Sequence, residues 1–314
     1  MRGVLGIDAG GTKTVCQLAD ERGAVVSESR GGGANLQADG ELAVEKVLHQ
    51  VMADALGDRG IAPAAICLGM AGVDRDEDAA VVRGIMARIG HTARVLVVND
   101  ALIALEAGVG EAPGIVVIAG TGSIVYGRNA RFEAARAGGW GYVLGDEGSG
   151  YWMGRLALRA VVREADRRGR ATSLTPRVLQ HFEVRRPQDL IHQVYGRGMR
   201  PTVIAALAAV VQAAAADGDQ VARGIVESGA QALASAAESV ALRLGLTEAH
   251  FTFVLSGGIF RGVPGLADEV TARLAGVAPG ARVVRLEVEP AAGAVRLALA
   301  EASGGARLPV YITI

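Results

Sequence analysis

Short apolar runs separated by glycine turns begin the chain, and they then alternate with amphipathic stretches. Residues 3–20 predict a buried strand, a glycine turn and a second strand, and residues 24–30 predict a third strand. Alternating helices and strands are predicted next, as a helix at 40–56, a strand at 64–71, a helix at 74–89, a strand at 94–100 and a helix at 101–107. This order predicts a compact α/β unit.

The same opening recurs after a break rich in glycine at 108–114. A strand, a glycine turn and a returning strand are predicted over 115–127, followed by a third strand at 132–137. Most of the remaining segments predict helices, at 151–168, 176–182, 187–194, 203–216, 220–244, 263–275 and 290–302, and two predict strands, at 251–255 and 282–286. Two units with the same opening predict a cleft that grips a ligand from both sides.

These patterns predict two α/β domains. The first covers 1–112 and is joined by the helix 290–303, and the second covers 113–289 and carries a helical insertion. Residues 304–314 remain as a tail, for which an added edge strand, a dimer contact and a loose end are all open.

Composition narrows the classes of function. The 314 residues are half apolar and about a fifth charged, which predicts a folded chain with a sizeable core. A net charge of −1 and 4% aromatic residues argue against nucleic-acid and membrane-surface partners. Cys16 and Cys67 lie in apolar, strand-like runs, so their thiols are predicted to be buried. With no leader visible and with 203–216 too short to span a bilayer, we expect a soluble cytoplasmic protein.

Two acidic residues stand where ligands are often bound. Asp8 ends the first strand just before the turn Gly10–Gly11–Thr12, whose N–H groups and hydroxyl suit phosphate oxygens. An ordinary tight hairpin is the alternative. Asp100 follows a strand and precedes a helix, a position where open α/β sheets place ligand contacts. Its alternative is a helix N-cap.

Several motifs together resemble the actin-like ATPase and sugar-kinase superfamily, whose fold is two ribonuclease-H-like domains around a nucleotide cleft. Residues 8–13 resemble its first phosphate loop, 118–123 its second and 255–259 its adenosine-contacting turn. The run Gly-Gly-Trp-Gly-Tyr-Val-Leu-Gly-Asp-Glu-Gly-Ser-Gly-Tyr-Trp at 138–152 resembles N-acetylglucosamine kinases of the BadF/BadG/BcrA/BcrD ATPase family. The resemblance covers nearly the whole chain and leaves out only the tail.

The resemblance implies an enzyme that uses ATP and Mg²⁺ to phosphorylate N-acetylglucosamine at its 6-hydroxyl. Glucosamine, N-acetylmuramate and N-acetylmannosamine stay open as substrates, and a homodimer is expected. The rival within the family is an ATPase that activates a partner enzyme through an iron–sulfur cluster, which needs exposed cysteines. No cysteine-rich zinc motif and no added helix-turn-helix unit are visible, which argues against the other common sugar-kinase and repressor family.

The resemblance also implies residue roles, with Asp100 as the general base and Asp8 as a ligand of Mg²⁺ through water. The residues expected at the sugar are Asn35, Asp100, Gly122, Ser123, Gly139, Trp140, Gly141, Asp146 and Glu147. The residues expected at the nucleotide are Gly10, Gly11, Thr12, Lys13, Gly120, Thr121, Gly122, Ala205, Gly257 and Gly258.

Three of these side chains have structural alternatives to the roles that the resemblance implies, and a neighbouring serine has a predicted structural role. Trp140 is either a sugar contact or a filler of a domain corner, and Lys13 is either a phosphate ligand or a solvent-facing strand residue. Glu147 contacts hydroxyls or lies in the first turn of the next helix. Ser149 is predicted to be the N-cap of that helix.

Overall fold

The computed structural model describes residues 3–73, 75–196 and 199–312. Strands within these residues are β1 (Gly3–Ala9), β2 (Lys13–Asp20), β3 (Val25–Gly32), β4 (Pro63–Met70), β5 (Arg94–Asn99), β6 (Gly114–Ala119), β7 (Ser123–Arg128), β8 (Glu133–Gly138), β9 (Thr252–Ser256), β10 (Arg282–Arg285) and β11 (Val310–Tyr311). Helices are α1 (Leu36–Asp39), α2 (Glu41–Leu56), α3 (Asp76–Arg88), α4 (Asp100–Val109), α5 (Gly150–Ala165), α6 (Leu174–His181), α7 (Leu190–Tyr195), α8 (Pro201–Ala205), α9 (Leu207–Ala216), α10 (Gln220–Arg243), α11 (Gly258–Gly262), α12 (Pro264–Val277) and α13 (Ala291–Ala302).

The first sheet has five strands in the order β3-β2-β1-β4-β5. β1 is antiparallel to β2 and parallel to β4, and β4 is parallel to β5. The pairing aligns Ala9 with Met70, and Met70 with Asn99. The carboxyl ends of the three parallel strands therefore meet at one edge of the sheet, with Asp8 and Asp100 each one residue from this row.

Apolar side chains of the first sheet pack into one core with two amphipathic helices. Leu5, Ile7 and Leu68 of the sheet are fully buried in this cluster, as are Leu48 of α2 and Ile85 of α3. The burial follows the spacing of apolar residues in the sequence, since helical residues three and four apart share a face. A rigid sheet of this kind holds its carboxyl edge, and the acidic residues there, in fixed positions.

The second sheet has six strands in the order β10-β9-β6-β7-β8-β11. The tail supplies its edge strand, since β11 pairs in parallel with β8 and aligns Val310 with Glu133. The N–H of Val310 donates to the carbonyl oxygen of Phe132 at 2.9 Å, and the N–H of Ile312 donates to that of Ala134 at 3.0 Å. Of the three possibilities left open for the tail, the structure has the added edge strand.

The chain divides into two compact units. Among the described residues, the first comprises 3–116, Gly127–Ala134 and 285–312, and the second comprises Val117–Tyr126 and Ala135–Val284. Whether the chain forms two independent domains with boundaries at 112 and 289 remains a prediction.

The predicted helices differ from the structure in detail. The helix expected at 203–216 is divided at Ala206 into α8 and α9, and the segment at 187–194 begins with a 3-10 turn before α7. The helix expected from residue 74 begins at Asp76, and residue 74 itself lies outside the described residues. Across the described ranges, every helix is too short or too polar to span a membrane.

Candidate active site

Asp8 lies at the carboxyl edge of the first sheet, with its backbone aligned with Val15 on β2 and Gly69 on β4. Its side chain is buried, and burial raises the pKa of its carboxyl to about 7. The negative charge of Asp100 raises this pKa further, whereas the ammonium of Lys13 lowers it. Asp8 and Asp100 are therefore close enough to interact, which the sheet topology predicts.

Asp100 is the first residue of α4, and it does not cap the helix. The cap is Asn99, whose side-chain oxygen accepts a hydrogen bond from the N–H of Ala101 at 2.7 Å. Asparagine is as good an N-cap as aspartate, so the Asn-Asp pair in the sequence left the two roles unresolved. The N-cap alternative for Asp100 is wrong, and its half-buried carboxylate stands at the sheet edge instead.

In the turn after Asp8, one residue is hydrogen-bonded within the turn and two residues are exposed to solvent. The N–H of Gly10 donates to the carbonyl oxygen of Lys13 at 3.0 Å, so this predicted phosphate donor is committed to the turn. Gly11 and Thr12 are exposed, and a Cβ added at Gly11 would meet no atom within 4 Å. Gly11 and Thr12 are thus the exposed part of the loop.

Lys13 forms an ion pair that the sequence did not predict. Its Nζ lies 2.6 Å from Oε2 of Glu289, and Arg30 contacts the other oxygen of Glu289 at 2.9 Å. Although burial alone would raise it, the pKa of Glu289 is lowered by its hydrogen bonds and charge interactions with Lys13 and Arg30. The only local signal for Glu289 was an acidic residue just before Pro290 at a predicted helix start.

Asn35 caps α1, which restricts what it can offer a sugar. Its Oδ1 accepts hydrogen bonds from the N–H groups of Gln37 at 3.0 Å and Ala38 at 3.1 Å. The side-chain amide nitrogen is therefore its available polar group for a ligand hydroxyl, and it acts as a donor.

In the second unit, the glycine turn 120–123 is joined to the glycine-rich segment that precedes α5. The N–H of Gly139 donates to the carbonyl oxygen of Ser123 at 3.0 Å, and the N–H of Gly150 donates to that of Gly120 at 2.9 Å. The hydroxyl of Ser123 donates to the carbonyl oxygen of Glu147 at 2.8 Å. The structure thus brings two separately predicted motifs into one hydrogen-bonded cluster.

Asp146 is the buried carboxylate of this cluster. It adopts a left-handed backbone conformation with φ of 61°, and a Cβ added at Gly122 would lie 2.7 Å from its Oδ2. A side chain at 122 would therefore force the Asp146 carboxylate to move. Burial, and then the charge of Glu147, raises the pKa of Asp146, whereas hydrogen bonds with the backbone of Ser123 and Gly141 lower it.

The structure excludes the structural alternatives for Trp140 and Glu147, and it confirms the predicted cap at Ser149. Trp140 is 64% exposed, so it does not fill a domain corner. The guanidinium carbon of Arg136 lies 4.7 Å from the centroid of the Trp140 ring. Glu147 is exposed and precedes the cap of α5, so it is not in the first turn of that helix. Ser149 is confirmed as the cap, since its Oγ accepts from the N–H of Trp152 at 3.2 Å.

The predicted nucleotide residues of the second unit also come together. Gly257 has φ of 109°, and a Cβ there would lie 2.2 Å from the carbonyl oxygen of Ala119, so no other residue fits at this turn between β9 and α11. A Cβ on Gly150 would lie 3.1 Å from that of Ala205 and 2.8 Å from Cδ1 of Ile259. Ala205 and Ile259, which follows Gly258, therefore both pack against the start of α5, next to Gly120.

A family model for the BadF/BadG/BcrA/BcrD ATPase family matches residues 5–298. The chain belongs to this family. An N-acetylmuramic acid/N-acetylglucosamine kinase of Clostridium acetobutylicum is 35% identical to this chain over 290 residues, which cover 91% of this chain and 95% of that protein. An N-acetyl-D-glucosamine kinase of Dictyostelium discoideum is 33% identical over 294 residues, which cover 89% and 92% of the two chains.

A solved structure agrees with these relatives. A crystal structure of a Chromobacterium violaceum protein, assigned as an N-acetylglucosamine kinase, superposes with a TM-score of 0.79 at 28% identity and covers 95% of this chain and 99% of its own. The predicted family and the predicted α/β fold of the actin-like ATPase and sugar-kinase class are both confirmed.

Proposed function

We propose that this BadF/BadG/BcrA/BcrD family protein is an amino-sugar kinase, which transfers the γ-phosphoryl group of ATP to the 6-hydroxyl of N-acetylglucosamine. The observation that carries the proposal is near full-length similarity to two kinases of N-acetylated amino sugars. Two clusters of predicted site residues, one in each unit, support it. Glucosamine and N-acetylmuramate are the alternative substrates.

Asp100 is proposed as the general base. A carboxylate at the sheet edge can accept the proton of the attacking hydroxyl, and phosphoryl transfer otherwise needs mainly positioning and charge stabilisation. Because Asn99 caps α4, the Asp100 carboxylate is not needed as the helix cap and can act at the sheet edge. The rigid first turn of α4 would hold this carboxylate in place.

Asp8 is proposed to hold Mg²⁺ through water. Among the described residues, no group of three or more His, Cys, Asp and Glu side chains is arranged to hold a metal directly. The donor set still fits a hydrated divalent cation, because two interacting carboxylates, Asp8 and Asp100, lie at one sheet edge. When bound there, the cation supplies positive charge that neutralises the phosphate oxygens.

Sugar hydroxyls are proposed to be bound by the Asp146 cluster. A buried carboxylate held by backbone N–H groups is fixed in direction, which suits selective hydrogen bonds to hydroxyl donors. The backbone of Ser123 and Gly141 holds this carboxylate, and Gly139 and Glu147 are hydrogen-bonded to Ser123 in the same cluster. The amide of Asn35, in the first unit, is proposed as a further donor to a sugar hydroxyl. The exposed ring of Trp140 offers an apolar face for the sugar.

The rival reading, an ATPase that activates a partner through a shared cluster, is disfavoured by the two thiols. Cys16 and Cys67 are both buried. Burial raises the pKa of Cys16 to about 12 and also raises that of Cys67, so neither thiol is suited to act as a thiolate ligand at a surface.

The test is ADP release from MgATP with N-acetylglucosamine, N-acetylmuramate, glucosamine and N-acetylmannosamine. We expect sugar-dependent turnover that falls roughly 10²- to 10⁴-fold in Asp100→Asn. The matched control is Asp58→Asn, which makes the same change at an exposed residue outside the site. Turnover without sugar that is equal in wild type and Asp100→Asn would contradict both the kinase and its base.

A further inference from the structure

An open groove lies between α5 and α10 in the second unit and has no role in the proposed reaction. Its volume is about 500 Å³. The second half of α5 forms one wall and the first turns of α10 form the other, while the turn Arg168–Gly169–Arg170 closes one end. Residues of the two helices line it at helical spacing, so the groove follows the seam between them.

Among the described residues that line the groove, arginine is the only charged type, at positions 159, 163, 168 and 170. Within the described ranges, Arg159 and Arg170 form no ion pair. Arg163 donates to the carbonyl oxygen of Arg168 at 3.3 Å, and Arg168 pairs with Asp166 at 2.6 Å. Because the whole chain carries a net charge of only −1, this positive charge is local to the groove.

The floor of the groove is apolar. Leu156 and Ala160 of α5 line it together with Val221 and Ile225 of α10, and none of the described residues that line it is aromatic. Guanidinium groups bind phosphate in a bidentate manner, whereas an apolar floor favours a ligand with a carbon skeleton. Sites for single-stranded nucleic acid usually combine basic groups with aromatic stacking surfaces, which the described lining residues do not provide.

We propose that this groove binds a small organic phosphate, in which a phosphate ester pairs with Arg159 and Arg170 and a ring packs on the apolar floor. Its volume suits a molecule of the size of a sugar phosphate or a nucleoside monophosphate. An inorganic anion would use the arginines but gain nothing from the floor.

Both helices of the groove also contact the predicted sugar loop. α5 begins at Gly150, which is hydrogen-bonded to Gly120, and Leu233 of α10 packs against Gly148. The groove is therefore built from the same two helices that hold this loop, but the groove site does not rest on the proposed function.

The test is isothermal titration of the full chain with N-acetylglucosamine 6-phosphate, AMP and inorganic phosphate. The variant Arg159→Gln/Arg170→Gln is compared with the control Arg177→Gln/Arg186→Gln, which removes the same charge from ion-paired surface positions of the same unit. We expect at least one ester to bind tenfold or more weakly to the groove variant, to bind the control within twofold of wild type, and to bind wild type more tightly than inorganic phosphate. The ester that responds identifies the source of the phosphate.

The site is overturned if no ester binds, if both double variants respond alike, or if inorganic phosphate binds as tightly as the esters. Thermal unfolding of each variant verifies that it is folded. Because N-acetylglucosamine 6-phosphate is also the product of the proposed reaction, only the difference between the groove variant and the control variant reports on the groove. A groove that binds esters in a protein without sugar-dependent turnover would contradict only the proposed function, and an active kinase with an unresponsive groove would contradict only this site.

Discussion

Asp8 ends β1 as a buried carboxyl group that interacts with a second acid, Asp100. Burial first, and then the charge of Asp100, raises its pKa from 3.8 to about 7. An acid whose pKa is higher in the folded than in the unfolded chain binds more protons when folded between those two values. The free energy of unfolding therefore falls as the pH rises from about 4 to about 7, and this contribution is constant above that range.

We predict that Asp8→Asn removes this pH dependence. In EDTA, the variant should be more stable than wild type at pH 8 by up to about 4 kcal/mol, since one pKa unit is worth ~1.4 kcal/mol, and the difference should shrink towards pH 4. Millimolar Mg²⁺ should stabilise wild type at pH 8 and leave Asp8→Asn unchanged. Urea unfolding measures both effects, with Asp58→Asn as the control. Equal pH slopes for wild type and Asp8→Asn would refute the buried-acid account.

Some residue roles were predictable because their cause is local in sequence. Ser149 precedes a helix by one residue, and serine is a strong N-cap, so its role followed from position. Lys13 is different, because its partner Glu289 is 276 residues away along the chain. No spacing rule connects two such residues, and their pairing depends on how α13 packs in the fold.

At the scale of elements, the start of α4 separates two functions between adjacent residues. Asn99 satisfies the backbone N–H of Ala101, and Asp100 places a carboxylate at the sheet edge. If this division is correct, stability and catalysis should respond to different substitutions within one turn of helix.

We predict that Asn99→Ala lowers the free energy of unfolding by about 1 kcal/mol, the usual value of a lost N-cap. Ser149→Ala, which removes the cap of α5, is the matched control and should lose a similar amount. Asp100→Asn should not lower the free energy of unfolding, because it removes the repulsion between Asp100 and the buried Asp8, while it removes most turnover. Chemical denaturation checks the three variants, and a larger stability loss in Asp100→Asn than in Asn99→Ala would reverse the assignment.

The order of elements was largely predictable from hydrophobic spacing, whereas their pairing was not. The strand, turn and strand that begin each unit appear as β1–β2 and β6–β7. The position of β1 between β2 and β4 depends on contacts between distant segments, which periodicity does not encode. The tail shows the same limit, since the residues of β11 became a strand only through pairing with β8.

At the scale of the whole molecule, the first unit is assembled from three separate segments of chain. The middle segment, Gly127–Ala134, is anchored by Arg128, which is fully buried and forms an ion pair with the buried Glu106. Arg128 also donates to the carbonyl oxygen of Ala112 at 3.0 Å. Burial raises the pKa of Glu106, although the hydrogen bond and charge of Arg128 lower it. Arg128 therefore offsets part of the cost of burying the Glu106 carboxylate.

We predict that Arg128→Met destabilises the protein by about 3–5 kcal/mol, because it leaves the Glu106 carboxylate buried without its cation. The double variant Arg128→Met/Glu106→Leu should recover most of this loss, since two apolar side chains can replace a buried pair. Breaking the exposed pair of Arg186 and Asp189 with Arg186→Met should cost less than about 1 kcal/mol.

Hydrogen exchange locates the effect of Arg128→Met. Amides of Gly127–Ala134 and of α4 should lose protection in the single variant and regain it in the double variant, because these segments meet at the buried pair. A uniform loss of protection across both units would instead indicate global destabilisation. That result would contradict the assignment of Arg128 as the residue that attaches this segment to the first unit.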